Sequence, residues 1–277
     1  MPKRFLFLFI PFLVLTCLAF IPVSDTSISV LSWNLLDFGK TKSDEEIEYI
    51  AGIVKDFDIV LIQEVVAKDP GGAQAVGRLG DALNRNGTKW EYRISDITSG
   101  ENSYKRERYA FLWKPSAVKL VGKPWLEQTY SAEIDREPFY ASFSKAGKEF
   151  TLVNFHAITK SKQPETEIKY FKFLPQTYPD LNLIFCGDFN LPQSHTVFNP
   201  LKKMGYEAVF SNQKTSLKQA CMQEDCLASA FDNIFFNASR LQNVSGKVIH
   251  FYRSFDDISE ARKISDHVPI AVEFTLK

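Results

Sequence analysis

Leu183-Ile184-Phe185-Cys186-Gly187-Asp188-Phe189-Asn190 is a run of four apolar residues that passes directly into a glycine, a carboxylate and an amide. A run this apolar reads as a strand buried on both faces, because a strand with one wet face alternates. Polar groups at the tip of such a strand are costly unless they serve one another or a ligand. The same pattern recurs outward in both directions. Segment 28–35 carries Trp33-Asn34, 58–64 ends on Gln63-Glu64, and 150–156 ends on His156, while Ser265-Asp266-His267 precedes the strand-like run 270–276. A single polar tip is an ordinary strand-end cap; five of them suggest a shared site.

Further strand-like runs lie at 90–94, 109–114, 139–143 and 233–236, and helices fit between them. Ser43 and Glu46 form a capping box for a helix whose Ile47, Ile50, Ala51 and Val54 share one face, and 164–178 and 195–204 read as two more. Doubly buried strands covered by outer helices make a layered α/β sandwich, not a bundle or an all-β barrel. No repeat, low-complexity tract or linker divides residues 25–277, which read as one domain.

Residues 1–24 differ from the rest: Lys3 and Arg4 precede an apolar run to Val23, the layout of a signal peptide, with an uncleaved membrane anchor as the alternative. Without them, 31 basic side chains stand against 33 acidic ones. That balance excludes a protein that coats nucleic acid by bulk charge, so any such contact must be local or made through metal ions. Cys221 and Cys226 lie in a polar stretch; in an exported chain they read as a small-loop disulfide, whereas Cys186 reads as a buried small hydrophobe.

By chemical type, the strand tips offer the carboxylates Glu64, Asp188 and Asp266, the amides Asn34 and Asn190, and the imidazoles His156 and His267. Oxygen ligands without a cysteine or a close histidine pair suit Mg²⁺, Mn²⁺ or Ca²⁺ better than Zn²⁺. Two histidines suit proton transfer near neutral pH. Together they describe metal-assisted attack on a phosphoester.

With these motifs the chain resembles the endonuclease/exonuclease/phosphatase superfamily, and within it the deoxyribonuclease I group. The resemblance extends from Ser32-Trp33-Asn34 to Ser265-Asp266-His267-Val268-Pro269 and includes Asn102-Ser103-Tyr104-Lys105-Arg106-Glu107-Arg108-Tyr109 and Arg136-Glu137-Pro138-Phe139. It implies a four-layered α-β-β-α sandwich of two packed, mainly antiparallel sheets flanked by helices. It implies a metal held by Glu64, Asp266, Asp188, Asn190 and Asn34, with Mg²⁺ or Mn²⁺ as the ion and Ca²⁺ as a further candidate. His156 is then paired with Glu107 and His267 with Asp232, with Asp188 and Asn190 completing the catalytic set. Arg136, Asn34 and Tyr104 would contact substrate. The activity implied is that of a secreted or cell-envelope (periplasmic) endonuclease cutting DNA with little sequence preference, monomeric and without a stable protein partner. A phosphoesterase for a lipid or small-molecule phosphodiester is the alternative.

Each residue also has a plainer reading. Glu64 and Asp188 singly are strand-end caps, His156 alone is a hydrogen-bonded core histidine, and Arg136 pairs on the surface with Glu133 or Asp135. One departure from the group stands out. Its members carry an arginine shortly after Gln-Glu that enters the minor groove; this chain has Val65-Val66-Ala67-Lys68 there, and Arg106 adds a residue between Tyr104 and Glu107.

Overall fold

Strand β1 (Ile28–Phe38) shows why this chain layers as it does: Val30 faces one way into one core and Leu31 the other way into a second, both fully buried. β2 (Ile59–Val66) repeats this with Ile59 and Leu61 inward, Val60 and Ile62 outward. A strand apolar on both faces needs cover on both, and the chain supplies a second sheet on one side and helices on the other. The protein is described here from a computed structural model covering residues 26–68, 70–100, 106–221 and 225–277. Residues 1–24, read above as a signal peptide, and Tyr104 lie outside the described residues.

The remaining strands are β3 (Glu91–Ile94), β4 (Glu107–Trp113), β5 (Lys119–Leu126), β6 (Phe139–Lys145), β7 (Lys148–His156), β8 (Leu183–Asp188), β9 (Tyr206–Ala208), β10 (Asp232–Asn237), β11 (Leu241–Val248) and β12 (Ile270–Leu276). They form two six-stranded sheets, ordered β11-β12-β1-β2-β4-β3 and β5-β6-β7-β8-β10-β9. All neighbours are antiparallel except one central pair in each sheet, β1 with β2 and β7 with β8. The sheets pack through Phe111, Trp113, Phe143, Phe150, Ile184 and their neighbours. Helices α1 (Asp44–Val54), α2 (Gly71–Arg85) and α6 (Ile258–Ile264) cover the first sheet; α3 (Glu165–Ile168), α4 (Leu174–Thr177) and α5 (Asn199–Lys203) cover the second. This is a four-layered α-β-β-α sandwich.

Where structure and sequence pattern part, the causes are local. The strands β5, β9 and β11 each lie at a sheet edge, where exposed Lys in β5, Glu207 in β9 and Gln, Asn, Ser and Lys in β11 erase the apolar signature, and Pro124 is tolerated in β5. The helix expected over 164–178 is broken into α3, a 3₁₀ turn at Phe171–Phe173 and α4, because Pro175 lacks an amide proton and its ring clashes with the preceding turn. Pro200 likewise confines the expected 195–204 helix to a 3₁₀ turn at Thr196–Phe198 followed by α5. Helix α1 keeps its capping box, with Ser43 and Glu46 bonded reciprocally.

The topology also sets the location of chemistry. The carboxyl ends of β1, β2, β7 and β8 lie at one end of the sandwich, carrying Asn34, Glu64, His156 and Asp188. Their antiparallel neighbours β4 and β10 begin there, on Glu107 and Asp232.

Candidate active site

Two irregularities deliver the first-sheet groups. The β1–β2 ladder runs to Asn34↔Gln63, then slips and resumes at Phe38↔Val65; β2 slips against β4 between Ile62 and Val65. Leu36, Asp37 and Glu64 take φ values of 37°, 50° and 59°, the left-handed region, at about 1–3 kcal/mol each. The bulge takes Glu64 out of strand alternation and turns it toward Asn34. Asn34 Nδ2 donates to Glu64 Oε1 at 2.9 Å and to Asp188 Oδ2 at 3.3 Å, so one amide bridges carboxylates from the two sheets. The Asp37 amide donates to Glu64 Oε2 at 3.0 Å.

On the second sheet, Asp232, Asp188 and His156 form one register row across β10, β8 and β7. His156 Nδ1 lies 3.0 and 3.1 Å from the two Glu107 oxygens, and His267 Nδ1 lies 2.7 Å from Asp232 Oδ2. With Nδ1 so held, both imidazoles aim Nε2 at the same atom, Asp188 Oδ2, from 3.5 and 3.6 Å. Asn190, itself at φ 51°, donates its backbone N–H to Asp188 Oδ1 at 2.9 Å and its side-chain amide to Ala157 O at 3.0 Å. Asp188 is 1% exposed.

Burial alone would raise the Asp188 carboxyl, but the charges of His267 and His156, with bonds from Asn190 and Asn34, hold it below its usual value. Burial and Arg136 pull the His156 imidazole down, and Glu107 backed by Asp188 outweighs them, leaving it raised. Burial also opposes charge on His267, yet Asp232 and Asp188 hold it well above the usual histidine range. For Glu107, burial is overcome by His156 and Arg136, and its carboxyl is lowered.

Arg136 is buried rather than spread on the surface against Glu133 or Asp135. Its Nη1 lies 3.2 Å from Glu107 Oε2 and 3.0 Å from His156 Nδ1, and its Nη2 donates to Ala157 O. Asp266, part-exposed at the cleft, is 3.4 Å from Arg262 Nη2. Two supporting groups, Thr215 and Lys42, gave no signal in the sequence, because they lie outside the strands and helices and bond backbone groups elsewhere in the chain. Thr215 Oγ1 accepts the Phe231 and Asp232 amides at 3.2 and 3.0 Å, fixing Asp232. Lys42, 5% exposed, donates Nζ to the carbonyls of Lys263 and Ile264 at 2.6 and 2.9 Å, anchoring the segment that enters Ser265-Asp266-His267. Trp33 Nε1 donates to His267 O at 2.8 Å. His195 caps a 3₁₀ turn through Val197 N, away from the cleft.

Glu64, Glu107, Arg136, His156, Asp188, Asn190, Asp266 and His267 line an open cleft of about 1030 Å³, which is also bounded by Val66, Lys68, Ile97, Arg106, Leu217 and Phe231. Ligand atoms of Asp188, Asp232 and His267 come within 4.8 Å of one another. Asp232 is committed to His267 Nδ1, however, so that trio reads as a held imidazole beside a carboxylate rather than a cage. The donors left for a cation are the carboxylates of Glu64, Asp188 and Asp266 and the side-chain oxygen of Asn190, a hard set that fits Mg²⁺, Mn²⁺ or Ca²⁺. Asn34, expected among the ligands, turns its Nδ2 to Glu64 and Asp188 and its Oδ1 to the Leu36 amide at 3.1 Å, and so orients the carboxylates instead.

Residues 31–267 match the profile of the Endonuclease/Exonuclease/phosphatase family, and the chain belongs to that family. Within it the likeness runs to the deoxyribonuclease I group. The chain is 29% identical over 265 residues to Deoxyribonuclease-1 of Bos taurus, spanning 90% of this chain and 93% of the relative. It is 30% identical over 268 residues to Deoxyribonuclease-1-like 2 of Mus musculus, spanning 90% and 92%. Among solved structures, a mannosyl-6-phosphatase of Bacteroides thetaiotaomicron superposes with a TM-score of 0.62 at 18% identity, covering 90% of this chain and 99% of that one, which speaks for the fold alone.

Proposed function

We propose that this protein is an exported, divalent-metal-dependent endonuclease that hydrolyses DNA phosphodiester bonds with little sequence preference. The observation that carries this reading is the pair of carboxylate-held imidazoles, His156 on Glu107 and His267 on Asp232, facing each other across Asp188 in an open cleft. A phosphoester seated there has a proton acceptor on one side and a proton donor on the other. Glu107 and Asp232 fix the tautomers and stabilise whichever imidazole is charged. Arg136, held by Glu107 through Nη1 and by the Ala157 carbonyl through Nη2, would offer its remaining N–H groups to a phosphate oxygen, and Asn34 and Asn190 orient the carboxylates beside it.

Glu64, Asp188, Asp266 and Asn190 would hold Mg²⁺ or Mn²⁺, with Ca²⁺ a further candidate and Asn34 orienting the first two carboxylates; such a cation would neutralise charge that builds on the phosphate. The 1–24 segment and the Cys221–Cys226 disulfide support export to an oxidising compartment, outside the cell or in its envelope. No helix among the described residues is long and apolar enough to cross a membrane.

A second reading, a phosphoesterase for a lipid or small-molecule phosphodiester, draws on one observation. Val66 lines the cleft where the deoxyribonuclease I group carries its groove-entering arginine. A panel separates the two: supercoiled plasmid, a lipid phosphodiester and a sugar monophosphate, each with Mg²⁺. The nuclease reading expects plasmid nicking to dominate. Turnover confined to the lipid or sugar substrate would replace it.

A further inference from the structure

Glu167 belongs to none of the groups above, yet it is 2% exposed and sits directly behind them on α3. Its Oε1 accepts the Ile158 N–H at 2.7 Å and its Oε2 accepts the Asp135 N–H at 3.1 Å. Both amides adjoin the Arg136 seat. Asp135 immediately precedes Arg136, and Ile158 immediately follows Ala157, whose carbonyl accepts from Arg136 Nη2 and from Asn190 Nδ2. One carboxylate thus ties the loop that carries the guanidinium to the loop that carries its acceptor. Burial pushes this carboxyl up to about 7 despite the two amides and the nearby Arg136, so its ionised form works against folding here. What it supplies that a leucine or glutamine does not is a pair of acceptor oxygens.

We infer that Glu167 is a positioning residue for phosphate binding: it locks the Asp135 and Ile158 backbones together so that Arg136 meets a substrate phosphate in one pose. The inference rests on the reading that Arg136 contacts phosphate. Glu167→Gln keeps the shape but gives one of the two amides an N–H in place of an acceptor. Kinetics are read on plasmid with Mg²⁺, together with affinity for inorganic phosphate by calorimetry, using full-length wild type, Glu167→Gln, Arg136→Ala and the double variant. Glu167→Gln should lower kcat/KM about tenfold, mostly through KM, since misplacing a binding group by a fraction of an ångström has that order of effect. Its melting temperature should stay close to wild type, because a neutral amide removes the buried charge. The double variant should be no worse than Arg136→Ala alone, within about twofold, as expected when both act through one contact. The phosphate affinities should show the same non-additivity. Losses that multiply in the double variant, or a Glu167→Gln enzyme within about twofold of wild type in KM, would overturn it. A wild type that leaves plasmid intact but shows the non-additive phosphate cycle would sink the nuclease reading and keep this one.

Discussion

Gly187→Ala is the substitution whose consequence the geometry constrains most tightly. Gly187 has φ 137°, and a Cβ built there would lie 1.9 Å from the Phe155 carbonyl oxygen, more than an ångström inside the 3.0 Å that real Cβ atoms respect. The backbone strain costs about 1–3 kcal/mol and the overpacking about as much again. Together they come to roughly 2–6 kcal/mol, and for a domain this size that lowers the melting temperature by roughly 5–20 °C. The loss should not be confined to stability. Phe155↔Gly187 is the register pair next to His156↔Asp188, so β7 and β8 can relieve the clash only by moving the imidazole relative to the carboxylate. A shift of about 1 Å at a reacting centre is worth about a hundredfold in rate. Gly147→Ala is the control: its φ is 77°, but nothing lies within 4 Å of the added Cβ, so strain appears without displacement. Thermal unfolding and plasmid nicking on both variants test the reasoning. If Gly187→Ala melts within about 3 °C of wild type and nicks normally, or merely matches Gly147→Ala, the close approach of β7 to Gly187 does not hold the site together.

Glu64→Gln replaces a charged oxygen donor with an amide while keeping the bond to Asn34. Nicking should fall and recover only partly with excess Mg²⁺ or Mn²⁺, whereas an unchanged metal titration would make Glu64 a structural cap. Cys221→Ser should cost about 2 kcal/mol of stability from the small loop it opens, read by urea unfolding; intact-mass analysis of unreduced protein should show the pair oxidised, and two freely alkylated thiols would contradict the bridge. With Val66 in place of the group's groove-entering arginine, cutting should be more even across A-tract and mixed duplexes than minor-groove insertion allows. Strong suppression in narrow-groove tracts, abolished by Arg106→Ala, would show that Arg106 has taken over the contact.

Much of this was legible in the sequence because burial on both faces leaves a strong mark. The runs around Ile62 and Phe185 are apolar without alternation, those around Leu31 and Val153 mostly apolar with neighbouring apolar pairs that break alternation, and their polar tips therefore stand out. The two carboxylate–imidazole pairs were read from the family resemblance, and the fold brings both within hydrogen-bond reach. What escaped was of two kinds. Edge strands such as β11 carry polar residues on their open side and lack the signature, and α2, with glycine at 71, 72, 77 and 80, has weak intrinsic propensity and forms because Val76, Leu79 and Leu83 pack on the first sheet. The other kind is support chemistry. Thr215, Lys42 and Glu167 act by bonding backbone groups far away in sequence, and no local pattern marks a residue whose partner is a distant amide or carbonyl.

The central claim is that the two held imidazoles act on opposite sides of one phosphodiester. Initial rates of supercoiled plasmid relaxation with saturating Mg²⁺ test it on wild type, His156→Ala, His267→Ala and the double variant. Each single change should lower turnover by about 10² to 10⁴, the worth of a positioned acid or base, with melting temperatures that show the fold intact. Chelator should abolish nicking by the wild type. Near-normal relaxation by either folded single variant would remove that histidine from the chemistry and contradict the account.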